Sequence, residues 1–320
     1  MNSLCKPSWY LRKLKNPFWF VDSLSKYVVI GGNSSQDLGR KIAKKLKAGY
    51  VSTSTRTFPD GESKITIKKI PKKKIIVVVQ STFPPVDSNL LHLLSIVSQA
   101  RKYSSKIYAI IPYLGYARQD REFLNGEVVT VSVVGKMLKS VGTKKVIVVD
   151  IHSKLALKQL GISAENVSAV SNLANYTKKL RLKDPLVVSP DQGGKERASE
   201  FASALKTDFI ALKKHRDRKN GKINILTSKV SVKNRDLILV DDMISTGGSI
   251  IKAARFLKKQ KCRRIYVACT HGLFVNGAEK KIKQAGVTQI ISTNTIPSNS
   301  SKVDVSKILA ESLLWMWYYE

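Results

Sequence analysis

The chain has 320 residues, of which 43% are hydrophobic, and a formal net charge of +33. This length and apolar content allow sizeable cores, which excludes a disordered protein and predicts two domains. The three cysteines have neither a C-x-x-C spacing nor an even count, so we expect no disulfide framework, no zinc site and a reducing, cytoplasmic location. No apolar run approaches the ~20 residues that span a bilayer, so no membrane span is expected.

Apolar runs typical of strands alternate with segments of helical period along the chain. Strands are predicted at Tyr27–Ile30, Lys64–Ile70, Ile75–Gln80, Ile107–Pro112, Val146–Asp150, Leu186–Ser189, Phe209–Leu212, Leu237–Val240, Ile265–Thr270 and Gln289–Ser292. Helices are predicted at Asp37–Leu46, Leu90–Lys102, Val131–Val141, Lys195–Leu205 and Ile250–Gln260, with a last helix after a polar loop at Ser298–Lys302. Alternation of this kind predicts an α/β fold with mostly parallel sheets flanked by helices.

The strand and helix from Val28 to Leu46 resemble those from Leu186 to Leu205, which predicts two similar α/β domains. We place the domains at residues 26–168 and 169–312. Residues 1–25 form a basic-aromatic N-terminal extension and residues 313–320 an aromatic C-terminal tail, and neither reveals a role. A functional site is expected near the interface of the two domains.

The most informative segment is Leu237–Ser249, where an apolar run and an acidic pair lead into a Gly/Ser/Thr turn and a helix. Backbone N–H groups and the helix dipole at such a turn can hold a phosphate. Asp241 and Asp242 can accept hydrogen bonds from ribose hydroxyls or reach a metal, because open α/β sheets bind ligands at the carboxyl ends of their strands. The plainer alternative is an ordinary strand-turn-helix with solvated acids.

Two further segments of the second domain suit a polyphosphate. The turn Asp191-Gln192-Gly193-Gly194 follows a strand and opens a helix, so it can receive an anion, with Asp191 available to a cation. Residues 213–222 are a basic segment with a glycine, which could close over a polyphosphate and stabilise transition-state charge. The alternatives are a simple turn and an exposed hairpin rich in Lys and Arg.

The first domain offers groups for a nucleotide. Arg118, Gln119 and Asp120 follow a predicted strand, and an Arg fork suits phosphate oxygens. His152 follows another strand, where it is either structural or a ligand of a divalent cation. Phe58–Glu62 is either a good turn or an aromatic face for a base with carboxylates beside it.

Taken together, these motifs resemble one family. They are Tyr116–Asp120, Asp150-Ile151-His152, Ser189–Gly194, the Lys214/Arg216 segment, Val240–Ser249 and Thr270-His271-Gly272. In order from about residue 27 to residue 312, they resemble the ribose-phosphate pyrophosphokinases, or PRPP synthetases, of archaeal type. The resemblance implies two phosphoribosyltransferase-like domains, an ATP side in the first and a ribose 5-phosphate side in the second.

The resemblance also implies residue roles, with Mg²⁺ as cofactor and a homodimer or larger assembly. Adenine is implied to bind Phe58, Asp60, Gly61 and Glu62, supplied by a neighbouring subunit, and ATP to contact Arg118, Gln119 and Asp120. Magnesium is implied at His152 and Asp191, and catalysis at Lys214 and Arg216. Ribose 5-phosphate is implied to bind Arg216, Asp241, Asp242, Ser245, Thr246, Gly247, Gly248 and Ser249.

Three positions depart from the family pattern. Ser245 stands where many members carry Asp, Gln192 where a smaller residue is common, and Val128-Val129 in place of a Pro-containing step. Because Thr246, Ser249 and backbone N–H groups can still hold a phosphate, we expect a changed hydrogen bond at Ser245 and a site that is kept. The changes bear on affinity and regulation more than on reaction type.

The predicted function is therefore transfer of the diphosphoryl group of ATP to the 1-hydroxyl of ribose 5-phosphate, which gives PRPP and AMP for nucleotide biosynthesis. No G-x-x-x-x-G-K-[ST] motif is present, which argues against a P-loop kinase. The alternatives are a phosphoribosyltransferase that consumes PRPP and a catalytically silent regulatory homologue. The positive charge also suits nucleic acid, but aromatic residues are not interleaved with the basic runs, so no nucleic-acid partner is expected.

Overall fold

The computed structural model describes residues 26–71, 75–216, 223–226 and 231–319. The predicted N-terminal extension, residues 1–25, lies outside the described residues. In the described part the chain forms helices and mostly parallel sheets, which confirms the predicted α/β fold class. No helix in these described ranges combines the length and the apolar character needed to cross a membrane.

The first half of the chain builds a seven-stranded sheet with the order β3-β2-β1-β4-β5-β6-β7. Its elements are β1 (Tyr27–Gly31), α1 (Gln36–Lys45), β2 (Gly49–Thr57), β3 (Ser63–Ile67), β4 (Ile75–Val79), α2 (Val86–Ala100), β5 (Ile107–Ile111), α3 (Thr130–Ser140), β6 (Lys145–Val149), α4 (Lys154–Gln159) and β7 (Ala164–Val167). All neighbouring strands are parallel except β2 and β3, which form an antiparallel hairpin at one edge. The interior strand β5 is buried along its whole length, as expected for a parallel sheet covered on both faces.

The second half builds a six-stranded parallel sheet with the order β15-β14-β13-β12-β8-β9. Its elements are α5 (Val170–Lys178), β8 (Leu186–Ser189), α6 (Lys195–Leu205), β9 (Phe209–Ala211), β10 (Lys213–Arg216), β11 (Ile223–Leu226), β12 (Asp236–Ile244), α7 (Gly248–Lys259), β13 (Arg264–Gly272), a 3-10 turn (Val275–Gly277), α8 (Ala278–Gln284), β14 (Gln289–Thr293), β15 (Ser301–Val303) and α9 (Ser306–Tyr319). Strands β10 and β11 pair with each other as a separate antiparallel hairpin.

The last helix, α9, returns to the first half of the chain. Leu309 and Leu313 are fully buried in the same apolar cluster as Tyr27 and Val29 of β1. The predicted C-terminal tail therefore continues α9 as far as Tyr319, and the boundary placed after residue 312 falls inside this helix. The domain limits themselves remain predictions.

Each predicted strand and helix overlaps an observed one, and the differences lie at sheet edges and in short elements. The polar strand β2 has no apolar run, and its pattern reflects an edge region where half the side chains face solvent. The region Ser298–Lys302, expected to be a loop, contributes Ser301 and Lys302 to β15, because pairing with β14 orders it. Local sequence does not encode such edge pairing.

Candidate active site

The acidic pair lies at the carboxyl end of β12, which extends to Ile244, four residues beyond its predicted end. Asp242 is buried, with 6% of its side chain exposed, whereas Asp241 is about a quarter exposed. The Nδ1 atom of His152, from the loop after β6, lies 2.7 Å from Oδ2 of Asp242. A residue of the first half and a residue of the second half thus meet in one hydrogen bond at this site.

Arg197, in the first turn of α6, supplies the positive charge beside the acidic pair. Its Nη1 atom lies 3.6 Å from Oδ1 of Asp242 and 3.8 Å from Oδ1 of Asp241. The sequence analysis missed Arg197. The available signal was its position one helical turn after the Asp191 glycine turn, where a long cation can reach the end of the neighbouring strand.

The two carboxylates respond differently to their surroundings. Burial would raise the pKa of Asp242, but the hydrogen bond from His152 and the charge of Arg197 hold its pKa well below the ordinary range. Burial and the adjacent charge of Asp242 raise the pKa of Asp241 well above the ordinary range. The pair therefore favours one fixed negative charge at Asp242 and a second carboxyl that readily holds a proton.

The turn after β12 has the geometry of an anion site. Helix α7 begins at Gly248, and Gly247 before it adopts the left-handed conformation with φ of 75°. A Cβ atom at Gly247 would be strained by this φ and would lie 2.9 Å from Cδ1 of Ile282, so the position favours glycine. The first-turn N–H groups of a helix have no intrahelical partners, so they can receive a phosphate together with the hydroxyls of Ser245, Thr246 and Ser249.

The Asp191 turn contacts the residues that lead directly into the β10–β11 hairpin. Gly193 donates its N–H to Oδ1 of Asp191 at 3.1 Å, which fixes the carboxylate above the start of α6. Gln192 donates from Nε2 to the carbonyl oxygens of Ala211 and Leu212 at 3.0 and 3.3 Å, directly before the hairpin. The unusual residue Gln192 thus ties the turn to the hairpin that carries Lys214 and Arg216.

The residues after β5 make two kinds of contact. Some lie at the site itself, and others hold the loop that carries His152. The guanidinium group of Arg118 lies against the sulfur of Met243, with Nε 3.0 Å from Sδ, which brings it to the acidic strand of the other half. Gln119 accepts a hydrogen bond from Thr130 at the start of α3. Asp120 is 3% exposed and accepts a hydrogen bond from Ser153, so its observed contacts support the His152 loop, and its contact with ATP remains a prediction.

The Phe58–Glu62 turn connects β2 and β3 at the far edge of the first sheet. Its Phe58 N–H donates to the carbonyl of Glu62 at 2.8 Å, and the Arg56 guanidinium lies 5.2 Å from the centre of the Phe58 ring. Strand β3 is five positions from β6 in the sheet order. At ~4.8 Å per strand, these two strands are about 24 Å apart. The structure therefore does not bring the Phe58 turn and His152 together within one chain.

The predicted magnesium ligands, His152 and Asp191, form a small donor set and lie on separate loops. His152 uses Nδ1 toward Asp242, which leaves Nε2 as its remaining ligating atom, and Asp191 accepts the N–H of Gly193 through Oδ1. Among the described residues no group of three or more His, Cys, Asp or Glu could hold a metal. Mg²⁺ fits such a set, because it is commonly bound through one or two protein groups together with water and substrate phosphates.

The fold and the site together define a class of protein: an α/β protein with two mostly parallel sheets, in which an acidic pair at a strand end meets a histidine from the other half of the chain. Comparison with known proteins agrees with this class. Residues 27–142 match the family model described as the N-terminal domain of ribose phosphate pyrophosphokinase, and residues 192–316 match the phosphoribosyl synthetase-associated domain.

Similar full-length proteins lead to the same family. The chain is 34% identical to the ribose-phosphate pyrophosphokinases of Sulfurisphaera tokodaii and Methanobrevibacter smithii, over 89% of this chain and 100% and 99% of theirs. The crystal structure of phosphoribosylpyrophosphate synthetase from Mycobacterium smegmatis shares the fold with a TM-score of 0.82 and 24% identity, covering 92% of this chain and 100% of that one. The chain belongs to the ribose-phosphate pyrophosphokinase family, and the predicted family and enzyme class are confirmed.

Proposed function

We propose that this chain transfers the diphosphoryl group of ATP to the 1-hydroxyl of ribose 5-phosphate, giving PRPP and AMP. The observation that carries the proposal is the 2.7 Å contact between His152 and Asp242. It joins the proposed ATP side, in the first half, to the proposed sugar side, in the second. A transfer between two bound substrates needs such a junction, because most of its acceleration comes from holding both partners in line.

The sugar side is proposed at the end of β12. The turn from Ser245 to Ser249, with the start of α7, holds the 5-phosphate, and Asp241 and Asp242 accept hydrogen bonds from ribose hydroxyls. With the 5-phosphate in the turn and the ring hydroxyls on the acidic pair, the 1-hydroxyl is directed toward the junction with the first half.

The ATP side is proposed around Arg118 and Gln119, with Asp120 supporting the His152 loop. His152 and Asp191 would hold Mg²⁺, which when bound neutralises phosphate oxygens. Lys214 and Arg216, in strand β10, would stabilise charge that develops on the transferring group. The hairpin begins directly after the two carbonyl groups that Gln192 contacts, which supports a common role for these cations and Asp191.

The test is formation of AMP and PRPP from ATP, ribose 5-phosphate and Mg²⁺ by wild type and Lys214→Ala. We expect Lys214→Ala to lower kcat by about 10²- to 10³-fold while KM changes little, because the cation acts on transition-state charge. Lys213→Ala is the matched control, since it removes the same side chain at the neighbouring position of β10. An unchanged kcat for Lys214→Ala would contradict the assignment of the hairpin.

The same assay separates the rival functions. Wild type that binds ATP and ribose 5-phosphate but makes no product would favour a silent regulatory homologue. Consumption of PRPP in the presence of a base, without AMP release from ATP, would favour a phosphoribosyltransferase. Omitting Mg²⁺ and adding EDTA should abolish product, and its return with Mg²⁺ would support the proposed cofactor.

We also propose a homodimer or a larger homo-oligomer. The separation of about 24 Å between the Phe58 turn and the strand before His152 supports this, because one ATP cannot easily bridge it within a single chain. A neighbouring subunit would then supply Phe58, Asp60, Gly61 and Glu62 to the adenine. A cytoplasmic location is proposed as well, and the free, buried thiols of Cys262 and Cys269 are consistent with it.

A further inference from the structure

The motif Thr270-His271-Gly272 has no role in the reaction as described so far, although it ends a strand next to the acidic strand. Three hydrogen bonds cross between the two halves of the chain around it. They run from Thr270 Oγ1 to Asp150 Oδ2 at 2.6 Å, from His271 Nε2 to the Val149 carbonyl at 2.9 Å, and from Ser81 Oγ to the Thr295 carbonyl at 2.8 Å. We call these six residues the polar seam.

The contacts of His271 define its protonation. The Val149 carbonyl can only accept, so His271 Nε2 carries a proton and donates it. The Nδ1 atom lies 2.9 Å from Oγ1 of Thr295, whose hydroxyl also lies 3.0 Å from the carbonyl oxygen of Thr270. Burial lowers the pKa of His271, which favours the neutral ring. The Tyr113 ring packs edge-on against it at 5.1 Å, so His271 has one orientation.

Two of the three accepting residues of the polar seam, Val149 and Asp150, lie just before His152 in the sequence. Val149 ends β6, and Asp150 has φ of 38°, in the left-handed region that costs a non-glycine residue energy. The Asp150 carboxylate accepts from both Thr270 and the N–H of Ala169 at 3.1 Å, and this arrangement holds the strained corner. The chain leaves that corner toward His152, two residues later.

We propose that His271 is a positioning residue: through its hydrogen bond to Val149, and with Thr270 on Asp150, it holds His152 at the distance from Asp242 that the reaction needs. The inference rests on the proposed function. It follows from sequence proximity, because two of the three seam bonds end on the residues from which the His152 loop departs. A small displacement of His152 would also matter, since a misplacement of about 1 Å at a reacting centre can cost about 10²-fold in rate.

The test compares His271→Gln with His271→Asn. The Gln amide reaches the place of Nε2 and can still donate to Val149, whereas the shorter Asn amide reaches only the place of Nδ1, near Thr295. We expect His271→Gln to keep kcat within about threefold and His271→Asn to lower it by about 10- to 100-fold. The KM values for ATP and ribose 5-phosphate, and the affinity for each substrate alone by calorimetry, should change less than threefold in both variants.

A merely structural role predicts a different result. Both variants lose the ring packing against Tyr113, so equal kcat for Gln and Asn, or a loss that follows the fall in melting temperature, would overturn the inference. Absence of PRPP from the wild type would instead overturn the proposed function, which keeps the two failures apart.

A second pair of variants tests the proposal if His271→Asn does not fold. Thr270→Val removes the hydroxyl that bonds Asp150 but keeps the shape, and Thr270→Ser restores the hydroxyl. We expect Val to lower kcat by about tenfold and Ser to recover it, with unchanged KM. Equal kcat in the Val and Ser variants would contradict the proposal.

Discussion

Arg197 is the residue that makes two adjacent carboxylates tolerable before any substrate arrives. It is one-fifth exposed and lies within 4 Å of both Asp241 and Asp242. Two neighbouring acids in a partly buried place repel each other, and a guanidinium between them lowers that repulsion. Arg197 therefore helps to keep Asp242 ionised and in hydrogen-bond contact with His152.

We predict that Arg197→Met lowers kcat/KM for ribose 5-phosphate by about 10- to 100-fold, as is usual when a group that orients a ligand is lost. Arg197→Lys should be intermediate, because it keeps a charge but loses the forked shape. Steady-state kinetics with ribose 5-phosphate varied at saturating ATP measures the effect. Arg255→Met, at an exposed position of α7, is the control. Wild-type kinetics for Arg197→Met would show that the acidic pair does not need this cation.

Among the secondary-structure elements, β12 is held by hydrogen bonds and ion pairs at its start, and it carries the acidic pair near its end. Asp236, which begins β12, is fully buried and accepts hydrogen bonds from the N–H of Lys183 and from Arg263 and Arg264, each at 2.8 Å. Burial would raise the pKa of Asp236, but the bonds from Arg264 and Lys183 outweigh it and keep the pKa below its ordinary value of 3.8. Folding therefore favours the ionised form.

We predict that Asp236→Asn destabilises the fold by about 2 kcal/mol at pH 7. This cost is smaller than the cost of breaking a fully buried ion pair, because the arginines are partly exposed. A lowered folded-state pKa gives stability that is present above the unfolded pKa and lost as pH falls. The difference in urea midpoint between wild type and variant should thus be constant above about pH 5 and shrink below about pH 4. Asp184→Asn, at an exposed carboxylate that pairs with Arg235, is the control and should change the urea midpoint little. A difference that stays the same at pH 3 would contradict this account.

At the scale of the whole molecule, the two halves are joined by the polar seam and by α9 returning to the first sheet. Both connections fix the halves relative to each other, as a site shared between them requires. The Phe58 turn, by contrast, lies at an edge of the first sheet, on the hairpin of β2 and β3. Under the proposed function, the site is completed only when another copy supplies this turn to the adenine.

This arrangement predicts complementation between two inactive variants. In a mixed dimer of Phe58→Ala and Lys214→Ala, one site combines an intact hairpin with an intact adenine turn from the neighbour. Co-expression in equal amounts should then restore about a quarter of wild-type activity, because half of the dimers are mixed and each has one of two sites intact. Activity is measured on the total co-expressed protein, without separating mixed from unmixed dimers. Recovery no greater than the sum of the separate variants would show that the Phe58 turn serves its own chain. Lys214→Ala co-expressed with Arg216→Ala is the control, because both changes lie on the same hairpin and should give no recovery.

The parallel α/β class, the central strands and the glycine turn that follows Asp242 could all be predicted from the amino-acid sequence. These features are local: buried strands read as apolar runs, and a glycine such as Gly247 is required by the backbone at its own position. The tertiary structure alone decided that His152 meets Asp242, that Arg197 lies between the acids and that His271 bonds Val149. Those contacts join residues that are distant along the chain, and their distances depend on how two sheets pack, which no local pattern of residues encodes.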